Sequence, residues 1–252
     1  MTFDWAPQQY ALFADHRKRA AIDLLSRVHH ESPRLIHDIG CGRGEMARVM
    51  ADRWPEATVI GSDLSSDMLD AARAEASSIG WRQIDISTWQ PDATYDVLYA
   101  NAVFHWVPDH AELLPRLVEA LNPGGVLAFQ MPLTWPEPIN RIARELVEDE
   151  PDILELLPKE PAPVEWYYDT LARVVSSMDI WETRYQQVLS GDDPVVEWAK
   201  GAALRPVMAG LKGAALQEFL AEYSSRLSDA YPRRSDGSTL LPFPRRFVVA
   251  TV

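Results

Sequence analysis

Apolar residues along the first half of the chain form short runs, and these alternate with stretches where apolar residues recur every three or four positions. The short runs are typical of buried strands, and the wider spacing is typical of helices. We predict strands at residues 35–39, 57–62, 81–84, 95–101 and 126–131. Helices are predicted at residues 7–30, 45–54, 66–76 and 109–121, the last one stopped by Asn122-Pro123-Gly124-Gly125. This alternation predicts an α/β fold with a parallel, doubly wound sheet.

The pattern changes after residue 132. Residues 133–165 are rich in proline and acidic residues and predict a helix with loops, followed by a helix at residues 165–177. Strands at residues 181–189 and 247–252 bring the predicted number to seven. Residues 192–232, between these strands, are mostly helical in pattern. We therefore predict a single domain over residues 1–252, with a helical cap at about residues 190–235 inserted before the last strand.

Composition and charge limit the possible partners. The 252 residues, 47% of them apolar, can bury one substantial core. A net charge of −13 argues against nucleic acid as a partner, because phosphate contacts need a basic face. No apolar run reaches the roughly 18 residues of a membrane span, and the N-terminus lacks an export signal. We expect a cytoplasmic protein with no membrane partner; the single cysteine, Cys41, also argues against a disulfide or a thiolate metal site.

Three glycines separate the first predicted strand from the next helix. Gly40, Gly42 and Gly44 stand at every second position, which lets the backbone turn sharply and approach a ligand closely. The spacing differs from the dinucleotide pattern G-x-G-x-x-G. Glu45 at the start of the helix would also repel a pyrophosphate. A cofactor with adenosine but no phosphate fits this loop better, and S-adenosyl-L-methionine (SAM) is the common one.

Polar residues end or follow four predicted strands, at the edge of the sheet where open α/β folds bind ligands. They are Asp38, Asp63, Asp85 and Asn101. Asp63 lies about twenty residues after Gly44, the distance at which an acid hydrogen-bonds ribose hydroxyls. Leu64 follows it, and we predict that Asp85 accepts the adenine amino group while Ile86 packs on the ring. The alternatives are that Asp63 caps a helix and that Asp85 is an exposed loop acid.

The segment 38–44, together with Asp63 and Asp85-Ile86, resembles class I SAM-dependent methyltransferases. Longer phrases from residue 4 to the C-terminus resemble trans-aconitate methyltransferases in particular. These are Asp4-Trp5-x-Pro7-x-x-Tyr10-x-x-Phe13, Asn101-Ala-Val-Phe-His-Trp-Val-Pro-Asp-His110, Gln130-Met-Pro132, Asp179-Ile-Trp181-x-Thr183-x-Tyr185, Leu204-Arg-Pro206 and Phe243-Pro-Arg245-x-Phe247. The resemblance implies a Rossmann-like, seven-stranded, mostly parallel sheet. It also implies methyl transfer from SAM to one carboxylate of trans-aconitate, giving the monomethyl ester and S-adenosylhomocysteine.

This reaction explains why no catalytic base stands out. A carboxylate with a pKa of about 4 is already ionised at neutral pH, so the transfer needs alignment and desolvation instead. His105 and Trp106 follow the fourth strand, where the methyl acceptor should lie. Arg205 and Arg245 lie in family-like phrases and are predicted to clamp the carboxylates of the acceptor. Other candidate cations are Arg17, Arg19 and Arg246, and the alternative for each arginine is a solvated surface charge.

The sequence departs from the family pattern at four places. Arg43 replaces a proline and Glu45 a small polar residue in the glycine loop, whereas His105 replaces glutamine and Leu133-Thr134 replaces Asp-Asn on the acceptor side. A methyltransferase for another small molecule and a non-catalytic SAM-binding protein therefore remain alternatives. A nicotinamide-dependent oxidoreductase would want an extra residue in the glycine loop and a Tyr-x-x-x-Lys pair, which the sequence does not contain.

Overall fold

The computed structural model describes residues 14–75, 78–201 and 203–252. The first part of the predicted helix 7–30, the phrase from Asp4 to Phe13 and the side chain of Arg17 lie outside these described residues.

Seven strands form one sheet. They are β1 (Leu35–Ile39), β2 (Thr58–Asp63), β3 (Gly80–Gln83), β4 (Tyr95–Asn101), β5 (Leu121–Pro132), β6 (Ser177–Leu189) and β7 (Thr239–Thr251). Their order is β3-β2-β1-β4-β5-β7-β6. The first five run parallel to one another. The last strand runs against β5, since Gly124 N–H donates to Val252 O while Leu133 N–H donates to Pro244 O. The predicted doubly wound, mostly parallel seven-stranded fold is confirmed.

Ten α-helices precede or connect the strands in the described part of the chain. They are α1 (Ala14–Ser26), α2 (Glu45–Arg53), α3 (Ser66–Glu75), α4 (His110–Glu119), α5 (Pro138–Glu145), α6 (Pro151–Leu156), α7 (Val164–Leu171), α8 (Pro194–Lys200), α9 (Arg205–Gly210) and α10 (Gly213–Ala230). A 3₁₀ turn, Phe104–Trp106, follows β4. Residues 192–232 are largely helical between β6 and β7, as the sequence predicts.

Three boundaries differ from the sequence prediction. The Asn122–Gly125 stop signal lies inside β5, because this strand already begins at Leu121. The helix predicted to reach residue 177 ends at Leu171, and β6 begins at Ser177. The last strand begins at Thr239 and contains Pro242 and Pro244, residues that cannot donate to a ladder and so argue against a strand inside a sheet.

The parallel register aligns the carboxyl ends of the first four strands. Ile39 of β1 pairs with Ser62 of β2 and with Ala100 of β4, and Asp63 pairs with Gln83 of β3. Residues that follow these pairs are therefore carried to one edge of the sheet. This edge holds the glycine loop and the residues predicted to bind the cofactor.

The chain divides into two compact units. The sheet unit comprises Arg17–Pro132, Ala162–Glu182 and Arg246–Val252, and its core includes the fully buried Tyr95, Leu98 and Phe129. The helical unit comprises residues 14–16, Leu133–Pro161, 183–201 and 203–245 of the described chain. In this unit α10 packs on α5 and α8, and the Tyr223 hydroxyl donates to Ile139 O at 2.6 Å. The organisation of residues 1–252 as a single domain stays a prediction.

Candidate active site

All three glycines of the loop have left-handed backbones, but for different steric reasons. Their φ angles are 65° at Gly40, 55° at Gly42 and 74° at Gly44. A Cβ on Gly40 would lie 2.3 Å from Val103, and one on Gly44 would lie 2.1 Å from the Trp81 indole. A Cβ on Gly42 would meet no atom within 4 Å. Gly42 is therefore the position where the loop backbone faces open space, as a ligand cradle requires.

The Asp63 carboxylate ties this loop to the end of β2. Its Oδ2 accepts from Gly42 N–H at 2.9 Å, and its Oδ1 accepts from Ser65 N–H at 2.9 Å. Burial raises the pKa of this carboxyl, while the backbone donors at Ser65 and Gly42 oppose the rise. Asp63 was predicted to bind ribose, and the structure bonds its carboxylate to the amide of the open glycine position.

Asp38 is the buried acid of the site. It lies one residue before the end of β1 and is only 1% exposed. Burial raises its pKa to about 8, and the nearby Asp63 charge adds to the rise, whereas the Ala47 amide opposes it. Its Oδ2 has no hydrogen-bond partner among the described residues. A polar ligand atom or water at the glycine loop would satisfy this oxygen.

Leu64, Asp85 and Ile86 follow the next two strands. Leu64 follows the end of β2 and is 48% exposed. The Asp85 Oδ1 accepts from both the backbone and the hydroxyl of Ser87 and so shapes the turn after β3. Arg116 of α4 donates to the carbonyls of Ile86 and Ser87. This turn is thus fixed from two sides, with Asp85 exposed and Ile86 half-buried.

The turn after β4 is strained. Asn101 ends the strand, and its Oδ1 accepts from the Gln130 side chain of β5. Ala102 then has a φ of 58°, a region that L-residues other than glycine seldom adopt. The strain directs Val103 against Gly40, where its methyl groups fill the space that a Cβ would need. Strained backbone of this kind clusters at functional sites.

His105 and Trp106 lie on the 3₁₀ turn that follows. Their rings are 4.8 Å apart, and both side chains are half-buried. The turn is held by His110, whose Nε2 lies 2.8 Å from Phe104 O and whose Nδ1 lies 2.9 Å from the Tyr167 hydroxyl. Because a carbonyl only accepts, Nε2 is the donor in the hydrogen bond to Phe104 O. Burial raises the pKa of Tyr167 to about 12, so its hydroxyl remains available as a donor.

The predicted arginines fall into different environments. Arg245 is 3% exposed and lies in the helical unit, with its guanidinium 4.1 Å from the centre of the Phe243 ring. Arg205 begins α9 of the same unit and is half-buried. Arg246 belongs to the sheet unit, where it pairs with Glu182 at 2.8 Å and donates to Ala162 O. Arg246 thus has a structural role, and Arg19 is exposed on α1.

The structure adds residues that sequence reasoning missed. The Trp81 indole fills the space above both Gly44 and Gly61; a Cβ on Gly61 would lie 2.4 Å from it. A glycine inside an apolar strand such as β2 is a sequence signal of close approach, so Gly61 could have been found. Nothing in the sequence singled out Trp81. His110 lies at the end of a family-like phrase, but the sequence did not predict that it fixes the 3₁₀ turn.

Other site chemistries receive no support from the residues described. No group of three or more His, Cys, Asp or Glu side chains in residues 14–75, 78–201 and 203–252 could hold a metal ion. Burial raises the pKa of the Cys41 thiol, with Asp38 and Asp63 adding to the rise, so this cysteine is a poor nucleophile. No helix within the described segments is long and apolar enough to cross a membrane.

Comparisons with known proteins identify the class. Residues 13–179 match the family model described as "Methyltransferase domain". The YcgJ protein from Bacillus subtilis shares the fold, with a TM-score of 0.61 at 13% identity, over 94% of this chain and 98% of that one. A phosphoethanolamine N-methyltransferase 2 from Haemonchus contortus gives a TM-score of 0.56 at 17% identity, over 92% and 52% of the two chains. The fold is that of a class I methyltransferase.

Curated relatives match nearly the whole chain. The trans-aconitate 2-methyltransferase of Azoarcus sp. (strain BH72) is 44% identical over 249 residues, which cover 98% of each protein. The enzyme of the same name from Rhodopseudomonas palustris (strain BisB18) is 43% identical over 256 residues, again 98% of each. The chain belongs to the trans-aconitate 2-methyltransferase family.

Proposed function

We propose that the protein transfers the methyl group of SAM to one carboxylate of trans-aconitate, which yields the monomethyl ester and S-adenosylhomocysteine. The names of relatives more than 40% identical over 98% of the chain support this acceptor. One structural observation supports the donor most directly: the open space over Gly42, whose amide is held by the Asp63 carboxylate. An L-residue at position 42 would both strain the backbone and fill the cradle.

The residues at the strand ends fit a SAM molecule. The exposed Leu64 offers an apolar surface to the adenine ring, and the Asp63 carboxylate, which accepts from three backbone amides, keeps an acceptor lone pair for a ribose hydroxyl. Asp85 and Ile86 remain the proposed contacts to the adenine edge and face. Asp38 and Asn101 are proposed to bind the polar end of the cofactor. When bound, SAM supplies an electrophilic methyl group on a positively charged sulfur.

The chain supplies positioning instead of proton transfer. A carboxylate acceptor is ionised at neutral pH, so no residue has to remove a proton. We propose that His105 and Trp106 contact the reacting carboxylate and displace water from it. Arg205 and Arg245 are proposed to bind the carboxylates of this polyanion, which a chain of net charge −13 can attract only through a local group of cations.

Two successive measurements, one of SAM binding and one of methyl transfer, test the proposed function. Titration with SAM, followed by isothermal calorimetry, should give saturable binding, and Asp63→Ala should weaken it by about 1–3 kcal/mol. Incubation with SAM and trans-aconitate should then give the monomethyl ester, detected by mass spectrometry. A protein that does not bind SAM would refute the proposal. If the protein binds SAM and methylates another small acid but not trans-aconitate, the proposed donor is right and the proposed acceptor is wrong.

The acceptor residues need a matched control. Arg205→Ala and Arg245→Lys should raise the Michaelis constant for trans-aconitate while SAM affinity stays nearly unchanged. Arg234→Ala removes one positive charge from an exposed residue of the same unit and should change neither value. Equal effects of Arg205→Ala and Arg234→Ala would show that Arg205 acts only through the overall charge.

A further inference from the structure

Arg43 lies inside the glycine loop at a position where the family pattern has proline. Its guanidinium Nη2 lies 2.9 Å from Oε1 of Glu75, the last described residue of α3. The loop is therefore linked through a side chain to a helix that follows the next strand. The ion pair with Glu75 restrains Arg43, which explains how an arginine can stand where the family pattern has the more rigid proline.

The second oxygen of Glu75 also accepts from an arginine. Arg48 of α2 donates Nη2 to Glu75 Oε2 at 2.9 Å, and its Nη1 donates to the backbone carbonyl of Arg43 at 2.9 Å. The three residues form a closed set of contacts, which we call the Arg–Glu–Arg clamp (Arg43, Arg48 and Glu75). It joins the loop, α2 and α3.

The clamp complements the bonds that hold the other side of the loop. Cys41 N–H donates to Ser62 O at 2.8 Å, and Gly42 N–H donates to Asp63 at 2.9 Å, so β2 fixes residues 41 and 42. Gly44 N–H donates only back to Cys41 O, within the loop itself. Gly44 O accepts from Arg48 N–H of α2 at 3.1 Å, and the Arg43 side chain adds a restraint on the tip of the loop from α3.

A loop with three left-handed glycines has many alternative conformations. Ordering such a segment costs conformational entropy, and a restraint present before binding lowers that cost. We propose that Glu75 is a positioning residue that holds Arg43 and Arg48, fixes the glycine loop in its binding conformation and thereby sets the affinity for SAM. The role in cofactor affinity rests on the proposed function.

The exposure of the clamp predicts its salt dependence. The side chains are 33% exposed at Arg43, 27% at Arg48 and 42% at Glu75, so each ion pair is partly screened by solvent. Single exposed pairs contribute little, but two arginines on one carboxylate act as a network. Salt should therefore weaken SAM binding by the wild-type protein and remove most of the difference from a variant without the clamp.

The experiment compares Glu75→Gln with Asp70→Asn. Asp70 lies on the same helix and pairs with Arg73 at 2.7 Å, so both variants remove one negative charge from α3, but Asp70→Asn breaks one ion pair outside the clamp whereas Glu75→Gln breaks the two within it. In about 0.05 M salt Glu75→Gln should weaken SAM binding about 3–10-fold, and in about 0.5 M salt less than about twofold. The turnover number of Glu75→Gln at saturating SAM should stay at the wild-type value. The affinity of Asp70→Asn for SAM should also stay at the wild-type value.

Amide hydrogen exchange without SAM tests the clamp separately from the function. The Gly42 and Gly44 amides should exchange faster in Glu75→Gln than in the wild type or Asp70→Asn, and Arg43→Lys should restore part of the protection that Arg43→Gln loses. Unchanged exchange in Glu75→Gln would overturn the proposal, and so would unchanged SAM affinity in a protein that binds SAM. A wild-type protein that does not bind SAM would refute the proposed function, and with it the role of the clamp in affinity.

Discussion

Alanine substitutions at Gly42, Gly61 and Gly44 should separate backbone strain from steric overlap at the cofactor loop. Gly42 has a φ of 55° with open space around it, so Gly42→Ala brings strain alone, about 1–2 kcal/mol. Gly61 lies in regular strand, but its Cβ would be 2.4 Å from the Trp81 indole. Gly61→Ala therefore brings overlap alone, about 1–3 kcal/mol.

Gly44→Ala combines both effects. Its φ is 74°, and its Cβ would lie 2.1 Å from the end of the Trp81 ring. The expected loss of unfolding free energy is therefore the sum of the two terms, about 2–5 kcal/mol. Urea denaturation of the three variants, with closely similar slopes, provides the comparison.

Trp81→Leu identifies the source of the overlap. In a double-mutant cycle this change should recover part of the loss in Gly61→Ala and in Gly44→Ala, and none of the loss in Gly42→Ala. Calorimetry adds a second readout, because Gly42 faces the proposed cofactor. Gly42→Ala should weaken SAM binding more than Gly61→Ala does, even if Gly42→Ala lowers the free energy of unfolding less. The reasoning fails if Gly42→Ala is as unstable as Gly44→Ala, or if Trp81→Leu rescues all three equally.

Three further changes test single side chains. Burial raises the Asp38 pKa from 3.8 to about 8, so its contribution to stability is complete below 3.8 and is lost as pH rises through about 8. Asp38→Asn should keep that contribution, and its advantage in urea denaturation over the wild type should grow from acidic to mildly alkaline pH; a parallel pH profile would contradict the burial argument. Ala102→Gly should raise the unfolding free energy by about 1 kcal/mol or less, because glycine tolerates the φ of 58°; a lower thermal midpoint would exclude this strain. Arg246→Ala should lower stability by about 1–3 kcal/mol through its lost contacts to Glu182 and Ala162, with an unchanged Michaelis constant for trans-aconitate; a raised constant would return Arg246 to the acceptor site.

The sequence alone predicts those parts of the fold whose signal lies in consecutive residues. The sequence predicted all seven strands, and the signal is clearest in β1, β2 and β4, because burial on both faces of a parallel sheet leaves near-continuous apolar segments. β7 was predicted too short since Pro242 and Pro244 interrupt its pattern, although the carbonyl of Pro244 still accepts from Leu133 N–H. A strand whose proline carbonyls pair in this way cannot be distinguished from a loop by composition.

The candidate site also combines features that the sequence predicts with features that only the tertiary structure shows. The sequence by itself determined the glycine loop and the acids near the carboxyl ends of β1, β2 and β3, because glycine spacing and strand ends are read along the chain. Only the tertiary structure decided what each residue touches: Trp81 over Gly44, Asp63 on the Gly42 amide, and Glu75 between Arg43 and Arg48. Those partners lie 21 to 37 positions apart in the sequence and meet because parallel βα units bring successive strand ends to one edge of the sheet.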